Sequence, residues 1–250
     1  MTNTKRLFGF MLTAFFIVSA VMAQDAGGRT STGNNRPDLM SFKGIYSTDG
    51  LELRKKTLKD ISEAVANGDT SDDIYAALDY MAKEGINNKA MIKGQLQNDY
   101  PDIRRQVAIQ LGKIGTPKAA DILIQMCDPA DKDLYVLLET IKALGNIGIN
   151  ENDHTIKRIF GCVRGLNERP LDNIVIENLI SSSIDAFDKL EKKSNGIKDR
   201  GVFSDITGFM DKVSKNERFT RRQGQVSVSE HAKLVMDEML RRDAQRRQGT

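Results

Sequence analysis

Residues 102–115 read DIRRQVAIQLGKIG, and residues 135–148 read YVLLETIKALGNIG. At a shift of 33 positions, both stretches end in Leu-Gly-x-Ile-Gly. In the first copy, Val107, Leu111 and Ile114 recur at spacings of four and three residues, which is the periodicity of one apolar face on a helix. An apolar helix face that returns at a fixed period predicts a stack in which each unit covers the face of its neighbour.

The residues around this apolar face predict that each unit is a pair of helices. Ala108 and Gly112 are small and lie beside the face, so a neighbouring helix can approach closely there. Gly115 can end the first helix in the left-handed conformation. Thr116, followed by a proline, is typical of the start of a second helix. In the next copy, the second helix is predicted over residues 152–166.

Weaker copies flank the central pair. Residues 74–85 fit at a shift of 30, and residues 179–190 fit at a shift of 43. Both outer copies lack the glycine of the Leu-Gly pair, as expected of terminal units that face solvent on one side. Further apolar stripes predict three more helices, over residues 51–67, over residues 202–213, and from Ser227 or Ser229 to about Gln245.

The segment over residues 72–190 resembles HEAT repeats, in particular the short variety named after phycobilin lyases, and residues 102–115 carry most of the match. Asp99 with Arg104 or Arg105 is similar to the Asp and Arg that form ladders between HEAT repeats. The second copy has leucines at both arginine positions, so a continuous ladder is not expected. The resemblance implies an all-α fold, an α-solenoid of stacked antiparallel helix pairs. Lyase activity does not follow from it, because one fold hosts many functions.

The competing repeat of similar period is the tetratricopeptide repeat. Its Leu-Gly pair lies early in the first helix, with a Trp or Tyr nearby. Here the pair lies at the helix end, and the chain contains no Trp. The pattern therefore favours HEAT-like repeats.

The first residues predict export. Lys5 and Arg6 precede an apolar stretch, and Val21 and Ala23 are suited to the −3 and −1 positions of a cleavage site. The apolar stretch is shorter than the roughly 20 residues that cross a bilayer. We expect a periplasmic or secreted protein, cleaved near Ala23, with the bacterial periplasm favoured because only two Cys are present. The predicted parts are a signal peptide (1–23), a flexible leader (24–49), a HEAT-like helical repeat domain (50–213), and a basic linker with a C-terminal helix (214–250).

The composition argues against several classes of function. Cleavage would leave 35 basic and 34 acidic residues, a net charge of +1, whereas general nucleic-acid binding needs a large positive surplus. Two His and two Cys give little material for a metal centre or a Ser-His-Asp site. We therefore predict no catalytic site, no metal and no cofactor. Cys127 and Cys162 fall in adjacent second helices, whose axes should lie ~8–10 Å apart, so two core thiols are favoured over a disulfide.

The resemblance implies that partners bind along the second helices, on the concave side of the stack. The predicted function is that of a non-enzymatic, protein-binding adaptor or scaffold in a cell-envelope assembly. The alternative is binding of an anionic envelope polymer or a membrane surface through a basic patch and the arginines of the C-terminal tail. The predicted partner-binding residues are Lys118, Asp121, Gln125, Lys157, Arg158 and Arg164, of which the last three form the basic patch.

Overall fold

A computed structural model describes residues 38–128, 131–166, 174–220 and 226–249 of the chain. This part contains nine α-helices and one short antiparallel hairpin, in which Met91–Ile92 (β1) pairs with Gln95–Leu96 (β2). The helices are α1 (Thr48–Ala66), α2 (Asp72–Lys83), α3 (Pro101–Ile114), α4 (Pro117–Met126), α5 (Leu134–Ile147), α6 (His154–Val163), α7 (Ile174–Lys193), α8 (Arg200–Ser214) and α9 (Val228–Gln248).

The helices form two layers, and each layer follows the order of the chain. In the first layer, α3 packs against α1 and α5, α5 packs against α7, and α7 packs against α9. In the second layer, α4 packs against α2 and α6. Phe160 of α6 meets Phe209 of α8 edge to face, with ring centroids 6.1 Å apart. This is the all-α, HEAT-like solenoid that the repeat predicts.

The upstream copy occupies a different layer from the one that its alignment implies. Residues 74–85 align with first helices, yet α2 lies in the second layer, and α1 takes the first-layer position beside α3. Both kinds of helix carry one apolar stripe, so the stripe alone does not identify the layer. The layer of a helix depends on which other helices cover its apolar stripe.

Two glycines set the spacing of the first layer. A Cβ at Gly112 would lie 2.9 Å from the Cβ of Ala143, and a Cβ at Gly145 would lie 2.9 Å from both Cα and Cβ of Ala186. The backbones of α3 and α5, and those of α5 and α7, therefore approach closely at equivalent positions of successive units. The close approach predicted beside the apolar face at Gly112 is confirmed.

The predicted ends of the repeated helices are also confirmed. Gly115 and Gly148 stand in the left-handed conformation, at φ of 69° and 74°, and end α3 and α5. The Thr116 hydroxyl accepts a hydrogen bond from the Ala119 amide at the start of α4. The second helix of the next unit is shorter than predicted, because a single 3-10 turn over Glu151–Asp153 precedes α6.

Buried arginines link the first three units. Arg54 of α1 and Glu84, just after α2, are both fully buried, and Arg54 Nε lies 2.6 Å from Glu84 Oε2. Arg104 of α3 donates to the Glu84 carbonyl at 3.0 Å, to Asp99 at 2.8 Å and to Asp131, ahead of α5, at 2.9 Å. Of the two arginines that resemble the HEAT ladder residue, Arg104 is the one that bonds Asp99.

The C-terminal helix is part of the stack. α9 packs against α7 and α8, and Ser227 caps it reciprocally with Glu230. Arg242 bonds Asp188 and Glu191 of α7, and the fully buried Glu191 also pairs with Arg246. The boundary predicted at residue 213 therefore falls inside the packed unit, because these partly buried ion pairs hold the tail on α7.

The folded unit also begins before residue 50. Phe42 is fully buried, and its ring meets Tyr80 of α2 at a centroid distance of 5.8 Å. Residues 38–49 of the segment predicted as a flexible leader therefore pack on the solenoid. The rest of that leader and the predicted signal peptide lie outside the described residues. Within the described ranges, no helix is both long and apolar enough to span a membrane.

A half-buried histidine makes the α7–α9 contact sensitive to pH. His231 Nε2 lies 3.0 Å from Asp185 Oδ1, and this carboxylate raises the pKa of His231 above its usual range. A raised pKa in the folded state stabilises the fold below the unfolded pKa of about 6.5, and this stabilisation is lost as the pH rises through the folded value.

We expect His231→Gln to lower the free energy of unfolding by about 0.5–1 kcal/mol at about pH 5.5, with the difference disappearing towards about pH 9. Asp188, also on α7, contributes in the same direction. Urea unfolding of both proteins across this pH range measures the difference. A deficit that stays constant with pH would show that the ion pair contributes nothing.

Candidate binding surface

The six predicted partner-binding residues lie on or beside two neighbouring second-layer helices. Lys118, Asp121 and Gln125 are exposed on α4. Lys157 is exposed on α6, Arg158 is half-buried there, and Arg164 follows the last turn of that helix. The helices pack against each other, so the structure brings both groups to one layer of the solenoid.

Lys118 is engaged within the protein. Its amine lies 2.6 Å from Asp72 Oδ1 at the start of α2, and 4.6 Å from the ring centroid of Tyr75. The same hydrogen bond lowers the pKa of Asp72. Lys118 therefore ties α4 to α2 across the surface instead of standing alone.

Two members of the predicted basic patch also have partners within the solenoid. Lys157 lies 2.9 Å from Asp199, which caps α8, and this contact raises the pKa of Lys157 and lowers that of Asp199. Arg158 Nε donates to the Ile124 carbonyl near the end of α4 at 3.3 Å. The last carbonyls of a helix have no partner within it and attract cations, which explains this position of Arg158. Of the predicted patch, Arg164 is the member that faces a groove.

That groove lies between α6 and α8 and has a volume of about 520 Å³. Arg164 and Lys212 bring positive charge to it, and neither forms an ion pair within the described ranges. A Cβ added at Gly165 or Gly208 would meet nothing within 4 Å, so the backbone there leaves open space. The residues that line it are Phe160, Arg164, Gly165, Ser204, Asp205, Gly208, Phe209 and Lys212. We call it the α6–α8 groove.

The sequence analysis missed the α8 side of this groove. Ser204, Gly208 and Lys212 recur every fourth residue and share one face of α8, whereas the buried face carries Phe203 and Met210. This polar and small-residue stripe was visible in the sequence. It became informative only once α8 was known to stand beside α6.

The site around Gln125 is too small for a ligand. It is a cavity of about 20 Å³ that Asp79, Lys83 and Asp128 also line, and such a volume holds about one water molecule. At the start of α6, His154 is exposed, whereas Asp153 is buried and its carboxylate accepts a hydrogen bond from the Asp199 amide at 2.7 Å. No group of three or more His, Cys, Asp or Glu in the described ranges could hold a metal ion.

The β1–β2 hairpin is an exposed apolar feature that the sequence analysis did not predict. Met91 is 56% exposed and Ile92 is 53% exposed. The hairpin is held at its base by Asn98, which donates to the Asn88 carbonyl at 2.6 Å and accepts the Ala90 amide at 2.8 Å. It lies between α2 and α3 in the chain.

Comparison with known proteins agrees with this architecture. Residues 88–157 match the family model described as HEAT repeats. The match extends from the hairpin through α3, α4 and α5 into the start of α6, and it includes Gly112, Gly145 and Arg104. No curated protein and no solved structure matches the chain at a significant level. Residues 88–157 are thus similar to HEAT repeats, and the helices on either side continue the same two-layer packing.

Proposed function

We propose that this protein is an exported, non-enzymatic adaptor that works in a cell-envelope assembly, with the periplasm as its compartment. HEAT repeats commonly mediate protein–protein interaction, and this supports a scaffold role. The export part of the proposal is supported by the basic and apolar pattern of residues 1–23 and the small residues at its end.

The α6–α8 groove is the observation that carries the proposed binding mode. It combines two cationic side chains, Arg164 and Lys212, with the aromatic side chains Phe160 and Phe209. Such a site fits a partner segment that presents carboxylates beside an apolar side chain, because cations pair with carboxylates while the half-buried Phe160 ring can cover apolar atoms. With the neighbouring second-layer surface, a partner would bury on the order of 800 Å² per side.

The structure gives less support to the alternative, an anionic polymer or membrane surface bound through the basic patch and tail. In the tail, Arg241 pairs with Glu238, Arg242 with Asp188 and Glu191, and Arg246 with Glu191. These arginines hold α9 on α7 or neutralise neighbouring carboxylates on α9. A polymer held by surface charge alone would leave at moderate ionic strength, whereas a packed interface would persist.

The experiment is crosslinking in intact native cells, followed by affinity purification of the tagged protein and mass spectrometry. We expect a stoichiometric envelope protein that survives a moderate-salt wash. The double reversal Arg164→Glu/Lys212→Glu should reduce its recovery on the order of 10-fold or more, since it places like charge against an acidic partner.

The matched control is Lys113→Glu/Lys233→Glu, which reverses the same number of charges at exposed positions of α3 and α9. It should leave recovery unchanged. Recovery of the protein alone, or only with polymer or lipid, would contradict the adaptor function. Equal loss in both double variants would contradict the assignment to the α6–α8 groove.

A further inference from the structure

The structure brings Cys127 and Cys162 together although they are 35 residues apart in the chain. Cys127 is buried at the residue that ends α4, and Cys162 lies half-buried in the last turn of α6. The Cys162 thiol donates to the Cys127 carbonyl oxygen at a distance of 3.1 Å. The Cys162 side chain thus reaches the backbone of Cys127 between two adjacent units of the solenoid.

Their proximity follows from the way α6 covers the end of α4. Arg158 and Cys162 are one turn apart on α6, and both donate to carbonyls at the C-terminal end of α4, those of Ile124 and Cys127. The separation of two packed helix axes argues against a disulfide between residues in the middle of both helices. Cys127 is not in the middle of α4. Cys127 stands where the backbone leaves α4, with ψ of 62°.

We propose that Cys127 and Cys162 form a dithiol–disulfide site whose oxidising co-substrate is a disulfide of another thiol compound. The Cys162 thiolate attacks one sulfur of the incoming disulfide, whose S–S bond breaks, and the departing thiolate takes up a proton. Cys127 then loses its proton and attacks the Cys162 sulfur, which releases the second thiol. Two electrons pass from the protein thiols to the co-substrate, and α4 becomes covalently tied to α6.

The environments of the two thiols suit this order of events. Contact with Cys127 lowers the pKa of Cys162, and the positive charge of Arg158 acts in the same direction. Contact with Cys162 and burial raise the pKa of Cys127. The more accessible thiol is therefore the better first nucleophile, and the buried thiol is placed to attack second. The site itself follows from the geometry, and only its state in the cell rests on the proposed export.

The first test incubates the reduced protein, purified from its native cells, with oxidised glutathione, followed by acid quenching, alkylation and intact mass measurement. We expect a product lighter by two hydrogen atoms, without bound glutathione, and a Tm raised by roughly 5–10 °C. Two alkylatable thiols after this treatment would overturn the proposal, as would a product that carries glutathione in place of the internal bridge.

Single variants separate the roles of the thiols. Cys127→Ser should accumulate a stable mixed disulfide of Cys162 with glutathione, because the second thiol is missing. Cys162→Ser should leave the buried Cys127 unmodified over the same time. Equal glutathione labelling of both variants would contradict the assigned order, and this comparison holds even if one variant is less stable than the wild type.

The state in the cell is measured by acid quenching of intact native cells before lysis. A bridged protein would support both the site and the proposed export into an oxidising compartment. A bridge that forms with glutathione but is absent in the cells would leave the site standing and contradict export. Failure to form with glutathione would overturn the site whatever the compartment.

Discussion

Replacing Glu84 by alanine is expected to lower the free energy of unfolding by about 3–5 kcal/mol, the largest effect of any substitution that we predict for this chain. Glu84 and Arg54 are both fully buried, and the carboxylate takes two donors of the guanidinium. The variant leaves the Arg54 charge buried without its counter-ion. Within the described ranges, the hydrogen-bond acceptors that remain to Arg54 are the carbonyls of Ile45 and Gly50, each at 2.8 Å.

The residues around Arg54 prevent its guanidinium from moving to water at a small cost in free energy. Its guanidinium lies 4.8 Å from the ring centroid of Phe42 and 4.9 Å from that of Tyr100. Two aromatic rings therefore cover the charge. Phe42 and Ile45 belong to residues 38–49, so detachment of this segment would expose the Arg54 charge to water. We therefore expect this segment to become sensitive to proteolysis in Glu84→Ala before the solenoid as a whole unfolds.

Urea unfolding of wild type and variant measures the loss, and the control is Glu52→Ala. Glu52 pairs with Lys55 at 2.8 Å on the same helix as Arg54, but its side chain is 63% exposed. An exposed pair of this kind contributes at most about 0.5 kcal/mol. Similar small losses in both variants would mean that Arg54 and Glu84 are hydrated, in contradiction to the structure.

Gly145→Ala is expected to destabilise the protein by about 1–3 kcal/mol, although alanine is the better helix former. The added methyl group would lie 2.9 Å from Cα and Cβ of Ala186, so α5 and α7 must move apart. Separation of these two helices also loosens the apolar contacts on either side of the glycine.

The same substitution at Gly161 is the matched control. Gly161 lies within α6, and a Cβ there would meet nothing within 4 Å. Gly161→Ala should raise the free energy of unfolding by up to about 1 kcal/mol through helix propensity alone. Thermal or urea unfolding measures the change in stability of both variants. A stabilising effect at both positions would contradict the close packing of the first layer.

The repeated segment could be predicted from the sequence because the interactions that form it lie between residues close together in the chain. The spacing of Val107, Leu111 and Ile114, the glycines that end each helix, and the cap at Thr116 all act within a few residues. Gly112 beside the apolar face even indicated where the next helix comes close. Such features predict a stacked pair without knowledge of distant parts of the chain.

Contacts between distant residues could not be read in the same way. Arg54 and Glu84 are 30 residues apart, and nothing in either local pattern identifies the other. The layer of α2 depends on which helix covers its stripe. The tail arginines are ambiguous for the same reason, since Arg242 reads as a free charge until Asp188 and Glu191 of α7 are placed beside it.

One of the six residues that the sequence analysis proposed for binding lines the α6–α8 groove. Arg164 is in the α6–α8 groove, but its companion Lys212 comes from a helix that the sequence analysis did not assign to the second layer. Arg158 is the same type of residue and lies nearby in the chain, yet it donates a hydrogen bond to the Ile124 carbonyl at the end of α4. Charge alone does not distinguish a binding residue from one that satisfies the backbone.

The measurement that tests the adaptor function most directly is site-specific photo-crosslinking in intact native cells. A photoreactive amino acid replaces the exposed Ser204 in the α6–α8 groove or, as the comparison, the exposed Lys233 on α9. The proposed function predicts one discrete protein adduct from position 204 and none from position 233. No adduct from position 204, or the same adduct from both positions, would contradict a partner bound in this groove.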